Sequence, residues 1–299
     1  MSMLRFGTCS WKYPSWKGLV YSASDGINYL EEYARRYRTV EIDQWFWSLF
    51  DTDSITLPRT ETVAEYLSSV GDDFQFTIKA PNSVTLTHLL RRRTEKWTAR
   101  NPYFLSPQLF ADFLARIEPM RSQTACVILQ FEYLNKQKMS GVTEFCERID
   151  AFLRALPDYT DPWPLGIELR NPNYLTDSYF ATIARHDVPH VYCQGYYLPP
   201  ADEVHEKADS ALPDRMPGPA VIRLLGPDRA RIEAATGRRW DRIVAPKDDE
   251  LPGIVDMVTD MLRRGIDVYV NVNNHYEGSA PLTIEKLERL VGSYTGSTV

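Results

Sequence analysis

Short runs in which apolar and polar residues alternate recur along the chain, and stretches of helical spacing separate them. Alternation with period two marks a half-buried strand, whereas apolar residues at i, i+3, i+4 and i+7 mark one face of a helix. Eight β-rich runs of strand length, several of them alternating, lie at residues 5–10, 39–43, 74–80, 124–131, 165–170, 188–194, 220–225 and 267–273. Apolar stripes lie between them, among them Phe110, Phe113, Leu114, Ile117 and later Ile254, Val258, Met261, Leu262. Strands alternating with helices imply a parallel sheet with crossover connections, and eight such units predict closure into a TIM-type (β/α)8 barrel.

Two connections break the pattern. Residues 196–219 are rich in proline and lack a clear apolar stripe, which predicts a short or missing sixth helix. Residues 226–246 read as an insertion after the seventh strand, carrying Arg229, Arg231, Arg238, Arg239, Arg242 and Trp240 above the barrel mouth.

Parity along each strand decides which side chains fill the interior. Phe74, Phe76 and Ile78 share the face toward the helices, so Gln75, Thr77 and Lys79 point inward. By the same rule Glu41 and Asp43, then Glu168 and Arg170, then Arg223, Asn271 and Asn273 point inward, and Gln130 joins them. Three acids and three bases therefore meet near the C-terminal strand ends, where the reactive groups of such barrels collect. An unpaired buried ion costs several kcal/mol or more, so these groups must pair with one another or serve a ligand. A neutral ionic plug is the plain alternative.

The string Gly7-Thr-Cys-Ser-Trp11-Lys-Tyr13, followed by Trp16-Lys-Gly18, Tyr33-Ala and Val40-Glu-Ile-Asp43, resembles the start of the domain of unknown function 72 family. Phe76-Thr-Ile-Lys79-Ala-Pro81 with Thr87-His88, Ile167-Glu168-Leu-Arg170-Asn-Pro172, Ile222-Arg223-Leu-Leu and Val270-Asn-Val-Asn273-Asn274 with Ala280-Pro281 follow in the family's order. The resemblance spans nearly the whole chain and implies a TIM-type barrel without an established activity. Asp43 and Trp45 stand where the family usually has Asn and Thr, Gln130-Phe-Glu-Tyr replaces a Gln-Leu-Pro-Pro type turn, and Leu225 replaces a common His.

Length and composition narrow the function classes. The 299 residues accommodate one barrel domain, 1–299, and 43% apolar with 25% charged residues is ordinary for a globular chain. A net charge of -6 argues against broad adhesion to nucleic acid. Cys9, Cys126, Cys146 and Cys193 are scattered without a C-x-x-C pair, which predicts reduced thiols and a cytoplasmic location. No apolar run reaches membrane-spanning length. His88, His190 and His275 lack ligand spacing, and neither dinucleotide nor P-loop fingerprints occur, so no metal and no cofactor are expected.

The leading expectation is a metal-independent hydrolase or isomerase acting on a small anionic or polyhydroxylated substrate. Glu41 and Glu168 would form an acid/base pair, with His88 able to shuttle a proton. Lys79, Arg170 and Arg223 would hold an anionic or phosphorylated group, while Asp43, Gln130, Asn273, Asn274 and Trp11 complete the shell. The alternative is a nucleic-acid-binding or phosphodiester-processing protein using Arg91, Arg92, Arg93 and Lys96 with Arg238 and Arg239.

Overall fold

A computed structural model describes residues 2–22, 26–50, 54–89, 99–212 and 217–294. Eight strands run in the expected places: β1 (Leu4–Thr8), β2 (Thr39–Ile42), β3 (Gln75–Lys79), β4 (Thr124–Gln130), β5 (Leu165–Glu168), β6 (Tyr192–Gly195), β7 (Ala220–Gly226) and β8 (Val268–Val272). They form two four-stranded parallel sheets, ordered β1-β8-β7-β6 and β2-β3-β4-β5. Every pairing is parallel, so each connection must cross over, and helices supply the crossovers. The fold is mixed α/β.

The inner faces of the two sheets meet. Asn271 on β8 donates its amide to Thr77 on β3 at 2.8 Å, and Arg223 on β7 reaches Glu41 on β2 and Glu168 on β5. On one side Ile167 of β5 bridges in parallel to His190, just before β6, with Ile167 N–H donating to the Pro189 carbonyl and Val191 N–H to that of Ile167. On the other side the Tyr33 hydroxyl accepts the Thr8 amide at 2.9 Å and donates to the Thr39 carbonyl at 3.0 Å, linking β1 to β2. Gly7 is required at this seam, because a Cβ there would lie 2.2 Å from the Thr39 carbonyl oxygen.

The outward faces of the strands pack on the helices as parity dictates. Val40, Ile42, Phe76, Ile78, Val127, Leu129 and Ile167 are buried with Phe110, Phe113, Phe145 and Ile254 in one core. A smaller apolar group, Ala125, Cys126, Ile128, Val191, Val221 and Tyr269, fills the space between the sheets toward the N-terminal strand ends.

Two sequence expectations are corrected here. The sixth connection carries a helix, Ala201–Ala211, which is neither missing nor short. Its buried stripe is Ala201, Val204, His205 and Ala208, small or polar residues that do not register as an apolar face. The segment after β7 also holds a helix, Arg229–Thr236, where the Asp228 side chain caps the Arg231 amide and Gly237 ends it in the left-handed conformation. No helix among the described residues is long and apolar enough to cross a membrane.

Candidate functional site

The C-terminal ends of β2, β4, β5 and β7 each contribute one member of a single hydrogen-bonded cluster. Arg223 donates from Nε to Glu41 Oε2 at 2.6 Å and from Nη2 to Glu41 Oε1 at 2.6 Å, a two-pronged contact that fixes both planes. Its Nη1 bonds Glu168 and also donates to Gln130 Oε1 at 3.2 Å. Arg170 approaches Glu168 Oε1 at 2.5 Å and Gln130 Oε1 at 3.5 Å from the solvent side. Glu41, Glu168 and Arg223 are buried, whereas the Arg170 side chain keeps 15% of its surface.

Two further charges flank this cluster. The Lys79 ammonium sits 3.9 Å above the Phe46 ring, a cation–π contact, and feels Arg223, Glu41, Glu168 and Asp43. Burial is the main cause that lowers its pKa, Arg223 adds to it, and the three carboxylates resist. Asp43 is raised to about 6, first by burial and then by the Glu41 carboxylate, against the pull of Lys79 and Arg223. Burial would likewise raise Glu168, but Arg170, Arg223 and Lys79 outweigh it and hold that carboxyl at about 2. The cluster thus contains one carboxyl that exchanges a proton near neutrality and one that stays ionised.

The surrounding loops are held by buried amides. Asn82 Oδ1 accepts from the amides of Ser48 and Leu49, at 3.0 and 3.1 Å, which fixes the segment bearing Trp45, Phe46 and Trp47. Asn171 does the same after β4, accepting from the Leu134 amide and donating to its carbonyl. After β6 the chain turns through Gly195, Tyr196 and Tyr197, all at positive φ, over a ledge so tight that a Cβ on Gly226 would lie 2.3 Å from the His275 carbonyl oxygen. Tyr196 lies under Arg170, 4.3 Å from guanidinium carbon to ring centre. Tyr197 is 93% exposed and Trp47 58%, so aromatic faces stand free around the charged centre.

The other expected site residues lie differently. Asn273 uses its carbonyl oxygen to hold His275, at 2.9 Å from the amide and 2.6 Å from Nδ1, and Asn274 caps the last helix through the Ala280 amide. Trp11 packs edge-on against Tyr66 at 5.1 Å and lines a separate cavity of about 490 Å3 with Ser10, Asn28 and Gln44. His88 lies in another cavity, with Nδ1 2.9 Å from the Thr87 hydroxyl, and among the described residues none of its hydrogen bonds reaches Arg223. Arg238 pairs with Glu233 at 2.9 Å and Arg239 with Asp241 at 2.8 Å, forming a surface ion-pair mesh. Arg91, Arg92, Arg93 and Lys96 lie outside the described residues.

Sequence reasoning passed over three members of the neighbourhood. The Cys9 thiol sits beside the centre, where burial and then Glu41 push its pKa up. The Cys193 thiol is raised in the same way by burial and Glu168. Tyr13 faces Asp43, Ser10 and Asn274, and burial raises its hydroxyl as well. Cys9 lies on the inward parity of β1, one residue past its end, which was the available signal. The three histidines weighed as ligands are apart in role: His190 meets Tyr179, Phe180 and Tyr192 edge-on, and His275 lies against Trp240. Among the described residues no group of three or more His, Cys, Asp and Glu is arranged to hold a metal.

The model of a family described as "Protein of unknown function DUF72" matches residues 5–298. The UPF0759 protein YecE of Escherichia coli K12 is 25% identical over 172 residues, 58% of this chain and 50% of that protein. The chain therefore spans about half the length of the curated relatives it matches. Among solved structures, a DUF72 family protein of Enterococcus faecalis V583 is 20% identical with a TM-score of 0.63, covering 98% of both chains. One from Thermotoga maritima MSB8 is 20% identical with a TM-score of 0.62, covering 97% of this chain and 99% of the other. A D-tagatose 3-epimerase-like protein is 13% identical, with a TM-score of 0.50 over 98% of this chain and all of its own. At these identities the structures speak to fold alone.

Proposed function

For a chain that belongs to the DUF72 family, we propose an enzyme that binds a small anionic or polyhydroxylated substrate at the C-terminal strand ends and transfers protons through Asp43. The two sheets are read as halves of one (β/α)8 barrel, which the Ile167–His190 bridge on one side and the Tyr33 link on the other support. One observation carries the functional reading. Arg170 Nη1 is buried without a hydrogen-bond partner among the described residues, at the solvent edge of the cluster, and so is Glu168 Oε1, which Arg170 Nη2 meets only as an ion pair. An unmet guanidinium donor costs about 1–3 kcal/mol, which an incoming carboxylate or phosphate oxygen would recover.

In this reading Glu41 and Glu168 orient Arg223 and Arg170, and Asp43 is the group that gives and takes a proton. This shifts the acid/base work from Glu168, because a carboxyl held at about 2 is a poor proton donor near neutrality, and from Glu41, because Arg223 occupies both of its oxygens. The reading is metal-independent, since Arg223 hydrogen-bonds both oxygens of Glu41 and one of Glu168, and the other Glu168 oxygen faces the Arg170 guanidinium as an ion pair. The exposed rings of Trp47 and Tyr197 suit the apolar face of a sugar. The nucleic-acid alternative keeps less support, because Arg238 and Arg239 are already paired.

The test is a titration of the whole chain with glucuronate and with its uncharged counterpart glucose, followed by tryptophan fluorescence and calorimetry. Glucuronate should bind, Arg170→Met should weaken it about tenfold or more, and Asp43→Asn should leave binding intact. Equal binding to wild type and Arg170→Met would end the proposal.

A further inference from the structure

A second polar cavity, of about 270 Å3, opens between the loops that follow β3 and β4 and belongs to no part of the Arg223 cluster. Four cations line it, Arg100, Lys136, Lys138 and Arg148, together with His88 and a single carboxylate, Glu144. Glu144 is committed: it accepts from the Ser140 amide and hydroxyl at 2.8 Å each and from Arg148 at 2.8 Å. Lys138 pairs with Glu132. Arg100 and Lys136 have no carboxylate partner among the described residues, which leaves the cavity with an excess of positive charge on an acidic protein.

Hydrogen-bond accounting sharpens this. Thr87 is buried and has one hydroxyl proton, and its Oγ1 lies 3.3 Å from Glu132 Oε1 and 2.9 Å from His88 Nδ1. An ionised carboxylate only accepts, so the Thr87 proton goes to Glu132 and His88 Nδ1–H donates to Thr87. That fixes the ring and leaves Nε2 without a hydrogen-bond partner among the described residues. The isolated antiparallel bridge between His88 and Arg100 sets the two backbones opposite each other. Asn101, donating to the Ser83 and Leu86 carbonyls at 2.7 Å each, anchors the segment that carries Arg100.

We infer that this cavity is a phosphate-binding site, distinct from the proposed reaction centre, that takes the phosphate group of a small phosphomonoester through Arg100, Lys136 and His88. A cavity of this size admits a phosphate group with a few further atoms, and the unmatched cations supply the charge-assisted donors that such an oxyanion needs. The inference stands apart from the glucuronate reading, since it uses none of the same residues.

The experiment titrates the whole chain at low ionic strength with inorganic phosphate and with phenyl phosphate, following the His88 ring by nuclear magnetic resonance alongside calorimetry. His88→Gln identifies the ring signal among the five histidines. Both probes should move the His88 signal, and the double variant Arg100→Ala, Lys136→Ala should weaken binding by about tenfold or more, whereas Arg170→Met should not change the His88 titration. The phosphomonoester should bind at least as tightly as free phosphate. If the His88 signal stays still, or moves with unchanged affinity in the double variant, the site is not there. Loss of the His88 response in Arg170→Met would reassign the anion to the strand-end cluster and equally overturn the inference.

Discussion

Arg223 grips Glu41 with two parallel hydrogen bonds of 2.6 Å, joining β7 of one sheet to β2 of the other through buried charges. The same guanidinium bonds Glu168. Removing it leaves two buried carboxylates short of their main cation. Arg223→Met should therefore lower stability by about 3–5 kcal/mol in urea unfolding, the range expected when one partner of a buried pair is lost. A loss below about 1 kcal/mol would mean that water reaches this cluster freely.

Asp43 and His190 give the chain two opposed pH dependences. The folded pKa of Asp43, about 6, lies above its ordinary 3.8, so the fold prefers the protonated form. Its contribution is greatest below 3.8 and is lost as pH rises to about 6, by up to about 3 kcal/mol. Asp43→Asn should abolish that loss, so the stability of the variant relative to wild type should rise across this window.

His190 runs the other way. Burial lowers it to about 4 from 6.5, despite the nearby Glu168 carboxylate. The unfolded chain takes up the proton first, so stability falls as pH drops from about 6.5 to about 4, by up to about 3 kcal/mol. His190→Gln should remove this component in paired unfolding curves. An unchanged pH slope in that variant would place the ring in a more polar setting than its contacts with Tyr179 and Phe180 imply.

The strand frame and the charged centre were legible because alternation carries both. In β2, β3 and β5 the residues that break an otherwise apolar strand, Glu41, Lys79 and Glu168, are the inward ones, and parity alone groups them. What was illegible lacked a period. The helix Ala201–Ala211 buries alanines and a histidine, which carry little hydrophobic signal. Arg229–Thr236 shows only Ile232 and Thr236 to the core, so it reads as a charged loop. The opposed proton affinities of Asp43 and Glu168 were hidden because they depend on burial and on which carboxylate Arg170 and Arg223 reach in space. His88 looked like a member of the centre because loop residues after a strand carry no parity to direct them.

The arginines after β7 offer a check on surface charge. Arg238 and Arg239 are exposed and paired with Glu233 and Asp241. Exposed pairs are worth little, so each change to alanine should shift stability by less than about 0.5 kcal/mol. The salt dependence of any weak binding to a DNA oligonucleotide should also be unaltered. A flattened salt slope in Arg239→Ala would revive a strand-binding role for this segment.

Gly7 makes a steric forecast. Its missing Cβ would fall 2.2 Å from the Thr39 carbonyl oxygen, with backbone on the opposing side that has nowhere to go. Gly7→Ala should cost about 3 kcal/mol by equilibrium unfolding, and a neutral outcome would show that β1 can slide relative to β2.

The Tyr33 hydroxyl has a consequence for how the two sheets are coupled. Where other neighbouring strands are stitched by peptide groups of fixed length, β1 and β2 meet here through a phenol that accepts from one and donates to the other. The spacing of that joint is therefore set by the reach of a side chain anchored on the helix Tyr29–Ala34. The width of the seam between the two sheets thus depends on a residue that belongs to neither of them, in the first crossover.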